Sequence, residues 1–268
     1  MSNRMISFDS WNCVYLNKFF LLMKKIAMIP ARYAATRFPF KLMQPLGNKT
    51  VIRHTYDNTL ATGLFDEVFV ITDSDIIFKE IINNGGKAIM SIGHHESGSD
   101  RIAEAVENMN VDIILNVQGD EPFIDKTTLS KLLTVFNNDT VQVASVMKVF
   151  TDQTLISNTN YVKVVVDKNM ESLLFSRSVI PFHRDQTIQP VYYEHIGVYA
   201  FRKAALLQFT KWEMTPLESL EKIECLRYLE NGIKLKMVIT EHAGVKIDVP
   251  EDLEKAEKYL REMLDGES

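Results

Sequence analysis

The chain reads IILNVQGDEP at positions 113–122, where a run of apolar residues passes directly into an acidic turn. Such a run is typical of a buried strand, and the turn then carries the carboxylate of Asp120 beyond the strand's carboxyl end. Open α/β sheets bind their ligands at that edge. Another short apolar run opens the segment IPARYAATRFPFK at positions 29–41, whose loop carries three cations. Cations and a carboxylate at two strand ends indicate a site for a nucleotide and its metal ion.

The rest of the chain alternates short apolar runs with amphipathic segments, which predicts an α/β fold built on βαβ units and a mainly parallel sheet. In the first half, the predicted strands are 26–29, 68–72, 88–90 and 113–117, and the predicted helices are 51–61, 76–83 and 101–108. Beyond Asp139 the apolar runs are longer and more alternating, as in antiparallel or edge strands. The strands predicted there are 141–150, 161–166 and 192–201, with helices over 216–231 and 250–264.

Composition narrows the class of protein. The 268 residues carry a net charge of −5, which disfavours non-specific electrostatic binding to nucleic acid or to an anionic membrane. No apolar stretch approaches the roughly 20 residues of a membrane-spanning helix. The two cysteines, Cys13 and Cys225, lie far apart without metal-ligand spacing, which is typical of the reducing cytoplasm. We therefore expect a cytoplasmic protein with neither a nucleic-acid nor a membrane partner.

The first 22 residues differ from the remainder in composition. Their apolar run is interrupted by polar residues and lacks a small-residue cleavage site, so a secretory signal is disfavoured. We expect the true start at Met23, with residues 1–22 as an upstream translated extension or a poorly ordered arm.

The loop after the first strand presents Arg32, Arg37 and Lys41 within ten positions. Cations at this spacing can neutralise a triphosphate while backbone N–H groups bind its oxygens. A solvated surface loop remains the alternative, because such spacing is common on surfaces. Neither the P-loop pattern nor G-x-G-x-x-G occurs, so any phosphate cradle here is of another type.

Asp120 is a candidate metal ligand, because an acid that follows an apolar strand loses hydration unless a cation or a donor compensates. Mg²⁺ takes one or two carboxylates besides substrate phosphates, so a second acid is expected. Asp248 is the candidate, between a predicted strand and a helix begun by Pro250. Each aspartate alone also fits a turn or a helix cap.

Taken in order, these segments resemble the 3-deoxy-manno-octulosonate (Kdo) cytidylyltransferases, from Met23 to the C-terminus. The resemblance rests on seven features: IPAR at 29–32 with Arg37 and Lys41, HESGSDR at 95–101, NVQGDEP at 116–122, FSR at 175–177 with 180–181, HIGVY at 195–199 with Arg202, the acidic segment 220–227, and Asp248 with PEDL at 250–253. Each motif alone is weak, and their common order makes the resemblance specific.

The resemblance implies an enzyme of lipopolysaccharide biosynthesis that joins CTP to Kdo, an acidic eight-carbon sugar, giving CMP-Kdo and pyrophosphate. The anomeric hydroxyl would attack the α-phosphorus in line, with Mg²⁺ as the cofactor. It also implies a homodimer and a three-layer, Rossmann-like nucleotidyltransferase fold. The nucleotidyltransferase domain would cover 23–268 and contain a mainly parallel mixed sheet. A small mixed α/β subdomain near 140–230 would serve sugar binding and dimerisation.

The resemblance also assigns site residues. Asp120 and Asp248 would hold the metal, and Arg32, Lys41 and Asp120 would form the catalytic set. The implied nucleotide-binding residues are Ala31, Arg32, Arg37, Lys41, Ser97, Arg101 and Gln118. The implied sugar-binding residues are Gln118, Arg177, His195, Tyr199, Glu221 and Glu224. The fork of Arg177 suits the sugar carboxylate, and Glu221 and Glu224, three apart in a predicted helix, would face one side of it.

The chain departs from the family pattern at a few positions. Phe40 stands where the family usually has glycine before the lysine of the first loop, and Val249 replaces the usual threonine after Asp248. Residues 245–247, directly before Asp248, stand where the family commonly has a glycine-rich segment. Three alternatives stay open: another acidic acceptor such as neuraminate or an amino-substituted Kdo, UTP or another nucleotide in place of CTP, and a catalytically silent nucleotide-binding relative.

Overall fold

The computed structural model describes residues 23–33, 38–93, 95, 97–241 and 244–266. The predicted extension at 1–22 and the predicted phosphate contact Arg37 lie outside these ranges.

Strands and helices alternate through the first half of the chain, as the pattern predicts. The strands are β1 (Lys25–Ala31), β2 (Pro45–Leu46), β3 (Lys49–Thr50), β4 (Glu67–Thr72), β5 (Ala88–Met90), β6 (Ile113–Asn116), β7 (Val143–Val149), β8 (Lys163–Val166), β9 (Ser172–Ser176), β10 (Tyr193–Arg202) and β11 (Lys236–Ile239). The α-helices are α1 (Val51–Ala61), α2 (Asp75–Asn83), α3 (Gly98–Val106), α4 (Lys126–Thr134), α5 (Lys203–Phe209), α6 (Pro216–Glu221), α7 (Leu226–Glu230) and α8 (Pro250–Gly266).

Within the described ranges, one sheet contains nine strands, seven of them in the order β11-β7-β10-β6-β1-β4-β5, with β8 added to β10 and β9 to β8. The first-half strands are parallel, since β1 pairs with β4 and β6, and β4 with β5. The second-half strand β10 runs antiparallel to β6, β7 and β8. The sheet is therefore mixed, as predicted, and its antiparallel part comes from the longer, alternating runs.

Helices cover both faces of the sheet. Along β1, Ala27 and Ile29 face a core shared with α1, α2, α4 and α8. The alternate residues Ile26 and Met28 face a second core shared with α3, α5 and α7. Because successive strand residues point to opposite faces, this pattern gives the three layers that the sequence predicts. No helix in the described ranges combines the length and the apolarity that a bilayer crossing requires.

The predicted helix over 216–231 is wrong. It ends at Glu221, because Lys222 adopts a left-handed conformation with φ 54° and its N–H bonds to the carbonyl of Glu218. A separate helix, α7, begins at Leu226. Left-handed backbone at a lysine carries no sequence signal, whereas glycine at that position would.

The strand predicted just before Asp248 is also wrong. Residues 244–247 form a loop, and the strand of this region is β11, earlier in the chain. Sequence patterning also did not predict β9, α4 and α5. These elements are short, and short apolar runs are ambiguous between helix and strand.

Candidate active site

The candidate site lies at the edge of the sheet where the parallel strands β1, β4 and β6 end. From β1 the chain proceeds outward to β4 and β5, and then returns to place β6 on the other side of β1. The crevice at β1 and β6 is therefore a topological switch point. The turn after β6 crosses it closely, since a Cβ on Gly119 would lie 3.2 Å from the carbonyl oxygen of Pro30. Glycine at this position lets the turn approach the end of β1.

At this edge the Lys41 ammonium joins the two predicted metal ligands. Its Nζ lies 2.5 Å from Asp120 Oδ2 and 3.0 Å from Asp248 Oδ1. A backbone hydrogen bond holds the segment before α8 at this position, because Ile247 N–H donates to the carbonyl of Asp120 at 3.0 Å. The structure therefore brings together a cation from the first loop, an acid from the turn after β6 and an acid from the segment before α8.

The carboxylates fit a divalent cation. Asp120 is 8% exposed, and its buried Oδ1 has no hydrogen-bond partner among the described residues. A buried, unpartnered carboxylate oxygen is destabilising unless a cation compensates it, and carboxylate oxygen is the ligand that Mg²⁺ prefers.

Glu121 is a further acid beside this pair that sequence reasoning did not single out, although it follows Asp120 directly. Burial raises the pKa of Glu121 to about 7, and the charges of Asp120 and Asp248 add to the rise while Lys246 opposes it.

A cleft of about 660 Å³ opens at the same edge of the sheet, beyond the ends of β1, β4 and β5. It is lined by Arg32, Tyr33, Asp73, Ser74, Ile92, Gly93, His95 and Arg101. Arg101 is 1% exposed and donates from Nη2 to Asp73 Oδ2 at 2.6 Å. Its Nε and Nη1 have no partner within the described part of the chain. A buried guanidinium with two unpaired donor atoms is suited to a polar ligand in the cleft.

Asp73 is a second acid that the sequence reasoning missed. It follows β4 directly, which is the same signal that identified Asp120 after β6. Burial tends to raise the pKa of Asp73, but the hydrogen bond and the charge of Arg101 hold it below its usual value.

The wall of the cleft is organised by Glu104 of α3. Its carboxylate accepts from the backbone N–H groups of Ile92 at 2.8 Å and Gly93 at 3.0 Å, and contacts His95 Nε2 at 2.5 Å. These contacts lower the pKa of Glu104, the N–H of Ile92 contributing most. The carbonyl of His95 then accepts from Arg32 Nη2 at 2.6 Å. One carboxylate thus holds the segment to which Arg32 is anchored.

Two other predicted nucleotide contacts, Ser97 and Ala31, lie at the ends of a helix and a strand. Ser97 caps α3 in a reciprocal capping box with Asp100, which starts the helix at Gly98, three residues before the predicted start. Ala31 is fully buried as the last residue of β1.

On the other side of the crevice, Gln118 contacts strand β10, to which His195 belongs. Gln118 Nε2 donates to the carbonyl of Gly197 at 2.9 Å, beside a register irregularity between β10 and β7. His195 Nε2 lies 3.0 Å from Ser145 Oγ, which is within donating distance of the carbonyls of Val198 at 2.8 Å and Ile196 at 3.3 Å. A serine that donates to a carbonyl can accept from the ring, so these contacts favour the tautomer protonated at Nε2. Burial lowers the pKa of His195 to about 3, so this ring is neutral at physiological pH.

Tyr199 is buried beside His195, with their ring centroids 5.4 Å apart. Burial raises the pKa of the Tyr199 hydroxyl, with smaller contributions from Cys225 and Glu224. The hydroxyl consequently stays protonated at physiological pH and can donate a hydrogen bond.

Arg177 lies at the end of β9 and is tied to the end of α6. Its Nε donates to the carbonyl of Glu221 at 2.7 Å, its Nη1 to that of Thr159 at 2.9 Å and its Nη2 to that of Lys222 at 3.4 Å. Arginine has five N–H donors, so each terminal nitrogen keeps a second hydrogen for a ligand.

Glu221 and Glu224 are held by different parts of the molecule. Glu221 accepts from Ser176 Oγ at 2.6 Å and from the N–H of Arg177 at 2.9 Å, at the end of β9. Glu224 accepts from Ser99 Oγ at 2.5 Å, in the first turn of α3, and burial raises its pKa. The prediction that both face one side of a single helix is wrong, because α6 ends between them.

Comparisons with known proteins point to one family. The family model for cytidylyltransferases matches residues 26–237. A 3-deoxy-manno-octulosonate cytidylyltransferase of Flavobacterium johnsoniae is 58% identical over 90% of this chain and 100% of its own length. The relative of the same name from Christiangramia forsetii is 56% identical over 88% of this chain and 96% of its own.

Solved structures extend the likeness to three dimensions. A CMP:2-keto-3-deoxy-manno-octonic acid synthetase complexed with CTP superposes with a TM-score of 0.85 at 32% identity, over 90% of this chain and 99% of the other. A 4-diphosphocytidyl-2C-methyl-D-erythritol synthase from Anaerococcus prevotii, at 17% identity and a TM-score of 0.62, shares the fold over 89% of this chain and 96% of its own. The predicted nucleotidyltransferase fold is confirmed. The chain belongs to the cytidylyltransferase family and, within it, to the 3-deoxy-manno-octulosonate cytidylyltransferases.

Proposed function

We propose that this protein transfers the cytidylyl group of CTP to Kdo, releasing pyrophosphate and forming CMP-Kdo. The observation that carries the proposal is the meeting of Asp120, Asp248 and Lys41 at the switch point of the sheet, on the same edge as the cleft that contains Arg32 and Arg101. Two carboxylates and several cations on one edge of the sheet suit a metal–triphosphate complex.

We assign the metal to Asp120 and Asp248, which would hold Mg²⁺ and so place positive charge at the triphosphate. Lys41 offsets the negative charge of both carboxylates and supplies an ammonium donor at the same point. Arg32 adds a guanidinium that is already oriented by the carbonyl of His95. Together these cations stabilise charge that moves onto the leaving pyrophosphate, and we assign Arg37 an assisting role.

We assign the cleft to the nucleoside of CTP. Arg101 offers unpaired donors and Asp73 offers a carboxylate, which together complement a ligand edge that carries both acceptors and a donor. Cytosine has such an edge. Ala31, Ser97 and Gln118 would complete this pocket, through backbone and side-chain contacts around the end of β1.

We assign the acceptor sugar to the region around the ends of β9 and β10. The free hydrogens of Arg177 suit the sugar carboxylate, because a guanidinium can bind a carboxylate through two parallel bonds. Neutral His195, protonated Tyr199, Gln118 and the carboxylates of Glu221 and Glu224 suit sugar hydroxyls, which both donate and accept.

We further propose a homodimer formed by the second-half subdomain. The segment 179–191 supports this, because four large apolar side chains there are exposed: Val179 at 41%, Phe182 at 85%, Ile188 at 61% and Val191 at 54%. A concentration of exposed apolar residues is typical of an interaction surface. We also place the reaction in the cytoplasm, where CTP is made, and in lipopolysaccharide biosynthesis, which uses Kdo.

The decisive experiment measures pyrophosphate release by the purified protein with Mg²⁺ and CTP, in the presence of Kdo, of neuraminate or of no sugar. Release with Kdo alone is expected. Release with neuraminate alone would retain the chemistry and change the acceptor, and preference for UTP in a parallel series would change the donor. Absence of release with every sugar, in a protein that still binds CTP, would contradict the proposal and favour a silent relative.

A further inference from the structure

A lysine is fully buried beside the candidate sugar site. Lys163, the first residue of β8, is 0% exposed. Its ammonium donates to three backbone carbonyls: that of Arg177 at 2.5 Å, that of Tyr161 at 2.7 Å and that of Asn158 at 3.2 Å. An ammonium has three donors, so these bonds use all of them.

These bonds tie two segments together. The turn 158–161 precedes β8, and Arg177 follows β9. Arg177 contacts the same turn at a further carbonyl, because its Nη1 donates to that of Thr159 at 2.9 Å. The turn is thus held between the Lys163 ammonium and the Arg177 guanidinium, which fixes one terminal nitrogen of that guanidinium.

Packing alone does not account for a lysine at this position. Burying an ammonium is costly, and a methionine would fill similar space without a charge. Burial lowers the pKa of Lys163, and the charge of Arg177 lowers it further, whereas Glu221 and Glu194 oppose the shift. What lysine adds here is the link between the turn and the end of β9, together with a positive charge near the residue assigned to an anionic acceptor.

We propose that Lys163 is a positioning residue for acceptor binding, which holds the turn 158–161 against Arg177 and so orients that guanidinium toward the sugar carboxylate. The inference rests on the proposed function. It predicts that losing the ammonium impairs acceptor binding selectively, because the three carbonyls that the Lys163 ammonium binds belong to residues outside the lining of the nucleotide cleft.

The test compares the wild type with Lys163→Met in steady-state kinetics with Kdo and CTP, together with direct binding of CTP alone. We expect the KM for Kdo to rise about tenfold or more while the KM for CTP and the Kd for CTP change less than about twofold. A double-mutant cycle with Arg177→Ala should be strongly non-additive, because Lys163 acts through Arg177. Equal rises in both KM values, or additive effects in the cycle, would overturn the proposal.

Two further variants keep the test decisive. Asn158→Gly removes the bond from Asn160 N–H to Asn158 Oδ1, which is 2.9 Å long, and loosens the turn without touching the buried lysine. It should raise the KM for Kdo selectively, even if Lys163→Met does not fold. Lys234→Met is the control, since this exposed lysine pairs with Asp167 and Glu171 between β8 and β9 and has no role in the proposal. Both substrates should bind this control normally. An inactive wild type would contradict the proposed function, whereas an active wild type with unaffected Lys163→Met and Asn158→Gly variants would contradict only this inference.

Discussion

Lys41 and Asp120 are joined by a 2.5 Å contact between Nζ and Oδ2, although they lie on loops that follow different strands. The contact is possible because β1 and β6 are parallel neighbours, in register from Lys25 with Ile113 to Met28 with Asn116. Parallel pairing brings both carboxyl ends to the same edge, so the two loops meet there. The site is therefore a consequence of strand order, and its chemistry can be tested residue by residue.

Replacing either candidate metal ligand should abolish most activity. In Asp120→Asn or Asp248→Asn, the loss of a charged oxygen ligand is expected to lower kcat by about 100-fold or more while the fold survives. Mg²⁺ titrations of pyrophosphate release, with circular dichroism as the check on folding, measure this. Asp139→Asn, at an 88% exposed surface aspartate, is the control. Near-normal Mg²⁺-dependent turnover in both ligand variants would refute the metal assignment.

Arg177→Ala should raise the KM for Kdo by about tenfold or more and leave the KM for CTP nearly unchanged, because a charge-assisted pair with the sugar carboxylate is lost. Initial rates with each substrate varied in turn give both constants. Arg261→Ala, which removes an exposed arginine of α8, should change neither. If both KM values rise equally, Arg177 does not belong to the acceptor site.

Glu104→Ala should weaken CTP binding. The substitution releases Ile92, Gly93 and His95, and with them the carbonyl that orients Arg32. We expect the KM for CTP to rise about tenfold with little change for Kdo, and Glu104→Gln to recover part of the loss, since an amide oxygen can still accept from the backbone. Calorimetric binding of CTP reports this directly. Glu107→Ala, nearby on α3's C-terminal side, serves as the control, and equal weakening there would argue for a general effect on the helix.

Phe40 has φ 58° and ψ 23°, a left-handed conformation that glycine adopts without strain. Its ring also contacts Tyr33, with centroids 4.4 Å apart. Phe40→Ala loses the ring contact and keeps the strain, whereas Phe40→Gly loses both. We therefore expect the glycine variant to be more stable than the alanine variant by about 1 kcal/mol, measured by urea unfolding. Equal stability of the two would mean that the loop relaxes out of the left-handed region.

His195 should make the free energy of unfolding fall as the pH is lowered below neutrality. Its pKa is about 3 in the folded protein, below the usual 6.5, so the unfolded chain binds the proton first as the pH falls. The free energy of unfolding should therefore decline from about pH 6.5 downward, by at most about 1.4 kcal/mol per pH unit from this group. Urea unfolding of the wild type and of His195→Gln between pH 7 and pH 4 measures the difference. The variant should lose less stability over this window, and parallel curves would show that His195 is not responsible. His183→Gln is the control.

Local sequence was sufficient to predict many of the helices and strands. The helix α1 and the strand β5 have the predicted bounds, because each is an uninterrupted segment between clear breaks. Asp120 could be found because a charged residue directly after an apolar strand is conspicuous. Other site residues carried weaker signals: Asp73 has the same signal after β4, but its role depends on Arg101, 28 positions away.

The sequence by itself determined the alternation of strands and helices, the two cores on opposite faces of the sheet and the motifs that end at its carboxyl edge, because these follow from periodicity and local turn chemistry. Only the tertiary structure decided the break at Lys222, the anchoring of Arg32 through Glu104 and the burial of Lys163 among three carbonyls. Each of these depends on partners that chain folding brings together from distant positions, or on a backbone conformation that the residue itself does not favour. No pattern of neighbouring residues encodes such contacts.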